Sequence, residues 1–160
     1  MILLVHMLFG AAVGYKVYSL TNSIWLAGFL ALASHYFSDL FPHAEYLTSV
    51  EDTIKSVKND LSGNRLKEIS MVLLDFFLGF LFIFIVSTNQ FFIYLFAVLA
   101  LIPDGLTIVN SLFKIRILEA HQWFHGDIVQ YLTKNKKFPV FWRIFTQVLA
   151  VLISIYLLGN

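Results

Sequence analysis

Residues 69–86 read Ile-Ser-Met-Val-Leu-Leu-Asp-Phe-Phe-Leu-Gly-Phe-Leu-Phe-Ile-Phe-Ile-Val, with Asp75 as the one ionisable group. At about 1.5 Å per residue, such a helix is close to the roughly 30 Å of a bilayer core. It has no polar face, so no orientation lets one side meet water. In lipid a helix satisfies its own backbone hydrogen bonds, whereas an open strand leaves them unmade. Nowhere does the chain show the ten-residue alternation of a membrane barrel strand. The stretch therefore reads as a membrane-crossing helix that carries a costly carboxylate.

Four further stretches share this character: residues 1–20, 24–41, 91–113 and 140–158. The first is interrupted by His6 and Lys16, and the fourth by Pro103-Asp104-Gly105. Composition agrees, since 59% of the 160 residues are hydrophobic and only 13% are charged. A soluble domain carries roughly 25% charged residues, and this chain cannot coat a water-exposed surface. The expected fold class is an all-α membrane protein, a bundle of about five transmembrane helices in one polytopic domain over residues 1–160. The first stretch lacks a basic region ahead of its apolar run, so it reads as a retained helix rather than a cleaved signal. Residues 51–67 suit an amphipathic surface helix. Cysteine is absent, which removes thiolate chemistry, and a net charge of +1 gives no reason to expect nucleic acid.

Five spans put the N-terminus and both long polar connections, 42–68 and about 111–139, on one face. That face carries Lys55, Lys58, Arg65, Lys67, Lys114, Arg116, Lys134, Lys136, Lys137 and Arg143, and the other only Lys16. The asymmetry places the N-terminus and the loop-rich face in the cytoplasm. Trp142 beside Arg143 suits an interfacial anchor for the last helix.

Depth then singles out the polar groups. His6 is five residues into the first span, His35 six from the end of the second, and Asp75 six into the third. All three fall roughly 9 Å below the basic face. Asp104 tends toward the same end of the fourth span, and His121 and His125 belong to the connection on that side. A lone intramembrane histidine is commonly a polar contact between helices. A shared layer fed by separate segments points instead to a common site. His35 and Asp39 are four apart, as are His121 and His125, so each pair can share a helix face. His43 extends the row, but Pro42 is expected to end the helix first, leaving His43 at the surface or behind the ligands. Imidazole with carboxylate suits a hard or borderline divalent cation, Zn or Mn before others. The candidate donors are His6, His35, Asp39, Asp75 and Asp104, with His43, His121, His125 and Asp127 just outside or at the boundary. That donor count suits two metals, or one metal with supporting carboxylates.

Ser34-His35-Tyr-Phe-Ser-Asp39 resembles the Ser-His-x-x-x-Asp element of the bacterial inner-membrane proteins called membrane-bound metal-dependent hydrolases. Leu101-Ile-Pro-Asp104 is similar to their Leu-Pro-Asp element, His6 to Gly10 to their early histidine helix, and His121 to His125 to their second histidine pair. The order along the chain is altered, with Ser-His-x-x-x-Asp first. The resemblance implies a bacterial plasma (inner) membrane location, hydrolytic activity and a metal site at six residues: His6, His35, Asp39, Asp104, His121 and His125.

The expected function is therefore a metal-dependent hydrolase at the cytoplasmic membrane face. Its partners are membrane lipid and an amphiphilic small molecule, a phosphoester or other lipid-linked ester. Asp75 or Asp127 serves as general base. Alternatives are a divalent-cation transporter, which needs polar groups through to the far face, and a haem-binding membrane protein with two axial histidines. The His121-Gln-Trp-Phe-His125 pair lacks the glutamate of a His-Glu-x-x-His protease.

Overall fold

A computed structural model of the protein describes residues 3–43, 63–88, 90–129 and 138–159. Among the described residues every regular element is helical. Helix α1 spans Leu3–Thr21, α2 Ile24–Asp39, α3 Gly63–Val86, α4 Phe91–Leu99, α5 Ile102–Phe113, α6 Arg116–Trp123 and α7 Val140–Gly159. A π-helical turn, Phe124–Val129, continues α6. Residues 51–62 of the expected surface helix lie outside the described residues, and 63–67 open α3. The lysines at 134, 136 and 137 also lie outside them.

Each expected span coincides with helix. Among the described residues two helices, α1 and α7, are long and apolar enough to cross a membrane. The pair α4 and α5, bent by 41° at the break between them, counts as a third if it is one broken span. The apolar part of α3, Ser70–Val86, and the 16-residue α2 are shorter than the about 20 residues of a full span. The bend follows from Pro103, which has no N–H to continue the ladder and whose ring crowds the preceding turn. Pro103 instead stands in the first turn of α5, where a missing N–H costs nothing.

Helix α1 is the hub, packed against α2, α3, α4 and α7. Met7, Leu8, Ala11 and Ala12 bury against Ile83, Ile93, Ala97 and Leu158. Close approach needs the two glycines. A Cβ on Gly10 would stand 2.2 Å from Cβ of Ala100, and one on Gly14 would stand 2.5 Å from the Phe96 ring. The turn into α2 is tight: Asn22 takes a left-handed backbone at φ 54°, which asparagine tolerates, and the Ser23 hydroxyl caps Leu26 N–H at 3.3 Å. The outward surface is greasy, with Trp25, Phe77, Ile85, Phe91, Phe141 and Tyr156 all exposed. A surface of that kind is suited to lipid.

Candidate metal centre

His6, Gly10 and Gly14 follow one another at four-residue steps, so they share the face of α1 that the glycines bring close to its neighbours. The α2 face opposite is built the same way. Ala27 and Ala31 are small and buried, and the next turns of that face present Ser34, His35, Ser38 and Asp39, also buried. Backbones held close by small residues bring short polar side chains together at the end of the pair. Asp104 arrives from the first turn of α5, placed there by the break at Pro103. His125 arrives from the π-helical turn, buried while its helical neighbours Trp123 and Phe124 are exposed. Widened turns of this type are frequent at functional sites.

Histidines from α1, α2 and the π-helical turn meet at Asp39, and Asp104 of α5 reaches His35. Asp39 Oδ2 lies 2.8 Å from Nε2 of His125 and 3.4 Å from Nε2 of His35. Its Oδ1 lies 3.2 Å from Nε2 of His6. His35 Nε2 is in turn 3.2 Å from His125 Nε2 and 3.5 Å from Oδ1 of Asp104. The His6 and His35 rings stack at 4.1 Å. Asp39, His6 and His35 are each at most 1% exposed, whereas the Asp104 side chain is 34% exposed. The cluster is closed toward the bundle and reachable at Asp104.

Protons alone do not account for this arrangement. His35 Nε2 carries at most one hydrogen, yet three polar atoms surround it at 3.2 to 3.5 Å. Its buried Nδ1 makes no hydrogen bond. Ligands about 2.0–2.1 Å from a tetrahedral cation stand about 3.3 Å apart, and the separations here scatter around that value. Among the described residues, two groups have donor atoms within 4.8 Å of one another: His35, Asp39 and His125; and His6, His35 and Asp104. The buried cluster could hold a metal ion, and its nitrogen and carboxylate donors fit a divalent one.

Of the six expected metal residues, five enter these groups: His6, His35, Asp39, Asp104 and His125. His121 enters neither. It is half-buried one turn before His125, and its Nε2 bonds the Tyr36 hydroxyl at 2.9 Å. Burial first, and then the neighbouring His125 and His35, hold the His121 imidazole below its usual pKa. The two expected bases lie outside both groups. Asp75 accepts the backbone N–H of Leu4 at 3.1 Å, satisfying one of the open amides at the start of α1. Asp127 is exposed on the π-helical turn, two residues after His125.

Three contributors were not among the expected ligands. Ser38 bridges His6 Nδ1, at 2.9 Å, and the His35 carbonyl, at 2.8 Å. Tyr36 orients His121 and stands edge-on to both His35 and His125. His43 is buried, with Nε2 3.9 Å from Oδ1 of Asp39. The available signal was spacing: Ser38 and His43 continue the face of His35 and Asp39 at steps of three and four.

No family model matches the chain, and neither a curated protein nor a solved structure matches it.

Proposed function

We propose that the chain is a membrane-embedded metal-dependent hydrolase, with Zn or Mn held by His35, Asp39 and His125. The observation that carries this reading is the buried triangle of His35 Nε2, Asp39 Oδ2 and His125 Nε2, with edges of 2.8 to 3.4 Å, near those of a tetrahedral site. A cation there supplies Lewis acidity: it lowers the pKa of water toward 7 and draws charge from a phosphoryl or carbonyl oxygen.

The protein's own groups do the rest. Asp39 is fixed by histidines from three segments, which keeps the donor set preorganised. Asp104, the partly exposed donor, faces the side from which a substrate head would enter. Asp127, exposed two residues after His125, serves as general base, while Asp75 caps the start of α1. Stacked histidines on α1 and α2 exclude water from the inner side of the cluster.

Five crossings of a bacterial plasma membrane, with the N-terminus cytoplasmic, put this cluster one to two helical turns below the inner headgroups. The basic residues of the connections favour that orientation. At that depth an amphiphilic phosphoester or lipid-linked ester reaches the site with its head while its tail stays in lipid. The resemblance of Ser34 to Asp39 and of Leu101 to Asp104 to the membrane-bound metal-dependent hydrolases supports the same chemistry. The test is hydrolysis of bis(4-nitrophenyl) phosphate and of short-chain phospholipids by protein purified in mild detergent. Turnover is expected to stop on chelation, return with Zn or Mn, and be lost in His125→Ala. Metal-loaded protein that turns over neither substrate class contradicts the proposal.

A further inference from the structure

We propose that the Tyr36 hydroxyl donates a hydrogen bond to a phosphoryl oxygen of the substrate, and that His121 is the residue that positions it. The inference rests on the reading of His35, Asp39 and His125 as a cation site, and it narrows the substrate class to phosphoesters.

Tyr36 lines the same pocket as the cluster. Its ring stands edge-on to His35 and to His125, with centroids 5.7 Å away in both cases. A third edge contact, to Phe124 at 5.7 Å, ties the ring to the π-helical turn. Tyr36 is half-buried where His35, Asp39 and His125 are buried, so it reaches toward the open side. Its hydroxyl meets Nε2 of His121 at 2.9 Å, and the His121 ring lies 5.7 Å from that of His125. The charge of Asp104, the partly exposed donor, acts on the same imidazole. Neither Tyr36 nor His121 belongs to the metal-capable groups, so both side chains are left for another task.

The bond between them has a direction. Nδ1 of His121 is buried and makes no hydrogen bond. Were the phenol the donor, the imidazole proton would sit on Nδ1 as a buried N–H with no partner. Orphaned N–H groups are rarer in folded proteins than acceptors left short. The proton therefore belongs on Nε2, and His121 donates to the phenol oxygen. The hydrogen of the Tyr36 hydroxyl is then unspent, and among the described residues the hydroxyl has no other partner.

The position of this donor favours a phosphoryl group. In phosphoryl transfer, charge spreads over three oxygens, and donors fixed in advance around them lower the barrier. An ester carbonyl develops charge on one oxygen only, and that oxygen sits on the cation. A hydroxyl held one helical turn away from His125 suits a second oxygen of the same group.

The test uses zinc-loaded, full-length protein in mild detergent. It reads zinc content, turnover of bis(4-nitrophenyl) phosphate and affinity for orthovanadate, an anionic phosphoryl mimic. Tyr36→Phe is expected to keep wild-type zinc and a KM within about threefold, while kcat falls about 10²–10³-fold. Its vanadate affinity is expected to fall at least about tenfold. His121→Gln, whose amide can still donate to the phenol, is expected to bind vanadate more tightly than His121→Leu. Wild-type kcat and vanadate affinity in Tyr36→Phe overturn the proposal, and so does loss of zinc there. Should Tyr36→Phe fail to fold, equal vanadate affinity in the two His121 variants overturns it. Zinc-loaded wild type without turnover, but with vanadate binding that weakens in Tyr36→Phe, overturns the hydrolase reading and supports the hydroxyl as an anion donor. Neither turnover nor vanadate binding in wild type overturns both.

Discussion

Asp39 Oδ2 and His125 Nε2 meet at 2.8 Å although 86 positions separate them in the chain. The contact joins α2 to the π-helical turn. Removing a cation from so buried a set of donors should be felt by the whole molecule. A ligand bound only by the folded state stabilises it by about 2.7 kcal/mol at a hundredfold excess over its Kd. Chelation should therefore lower the thermal midpoint in detergent, and Zn or Mn should restore it. An unchanged midpoint under strong chelation counts against a bound ion.

Asp75 should behave as a helix cap and not as part of the metal site. Its bond to Leu4 N–H satisfies an open amide at the start of α1. Asp75→Ala is expected to cost about 0.5–2 kcal/mol, read by thermal or denaturant unfolding, while metal content stays at the wild-type level. Loss of metal with unchanged stability would place Asp75 in the site instead.

The approach of α1 to α4 is set by Gly10 against Ala100. Gly10→Ala should destabilise by about 1–3 kcal/mol through overpacking, and Ala100→Gly in the same chain should return part of it. Additive losses in the double variant would show that the two positions do not share one contact.

The orientation can be read by labelling, because the chain contains no cysteine. Leu20→Cys, exposed beside the α1–α2 turn, should react with a membrane-impermeant maleimide in intact cells. Arg116→Cys, exposed at the start of α6, should react only after permeabilisation. The reverse pattern inverts the proposed topology.

Helix positions were legible because an apolar run with a polar break reports directly on a helix and its end. Pro103 marked the bend between α4 and α5 for the same reason. His6, His35 and Asp39 were legible from depth and from the four-residue step on α2. The roles of Asp75 and His121 were not, since each depends on a partner far along the chain: Leu4 for Asp75 and Tyr36 for His121. His43 was expected at the surface or behind the ligands after Pro42, and it is buried behind Asp39. It is held there because Arg143 and Thr146, about a hundred positions later, bind the backbone. No residue type announces a π-helical turn, so the inward aim of His125 could be guessed only from its spacing to His121.

The central claim is that buried imidazoles and aspartates from separate helices hold a divalent cation, with Asp39 at the centre. Zn and Mn content per chain, measured side by side in wild type and Asp39→Asn purified in mild detergent, tests it most directly. Asparagine keeps the shape of the side chain and removes its charge. The account predicts at least stoichiometric metal in wild type and its loss in Asp39→Asn. Metal-free wild type, or equal metal in the two proteins, would contradict it.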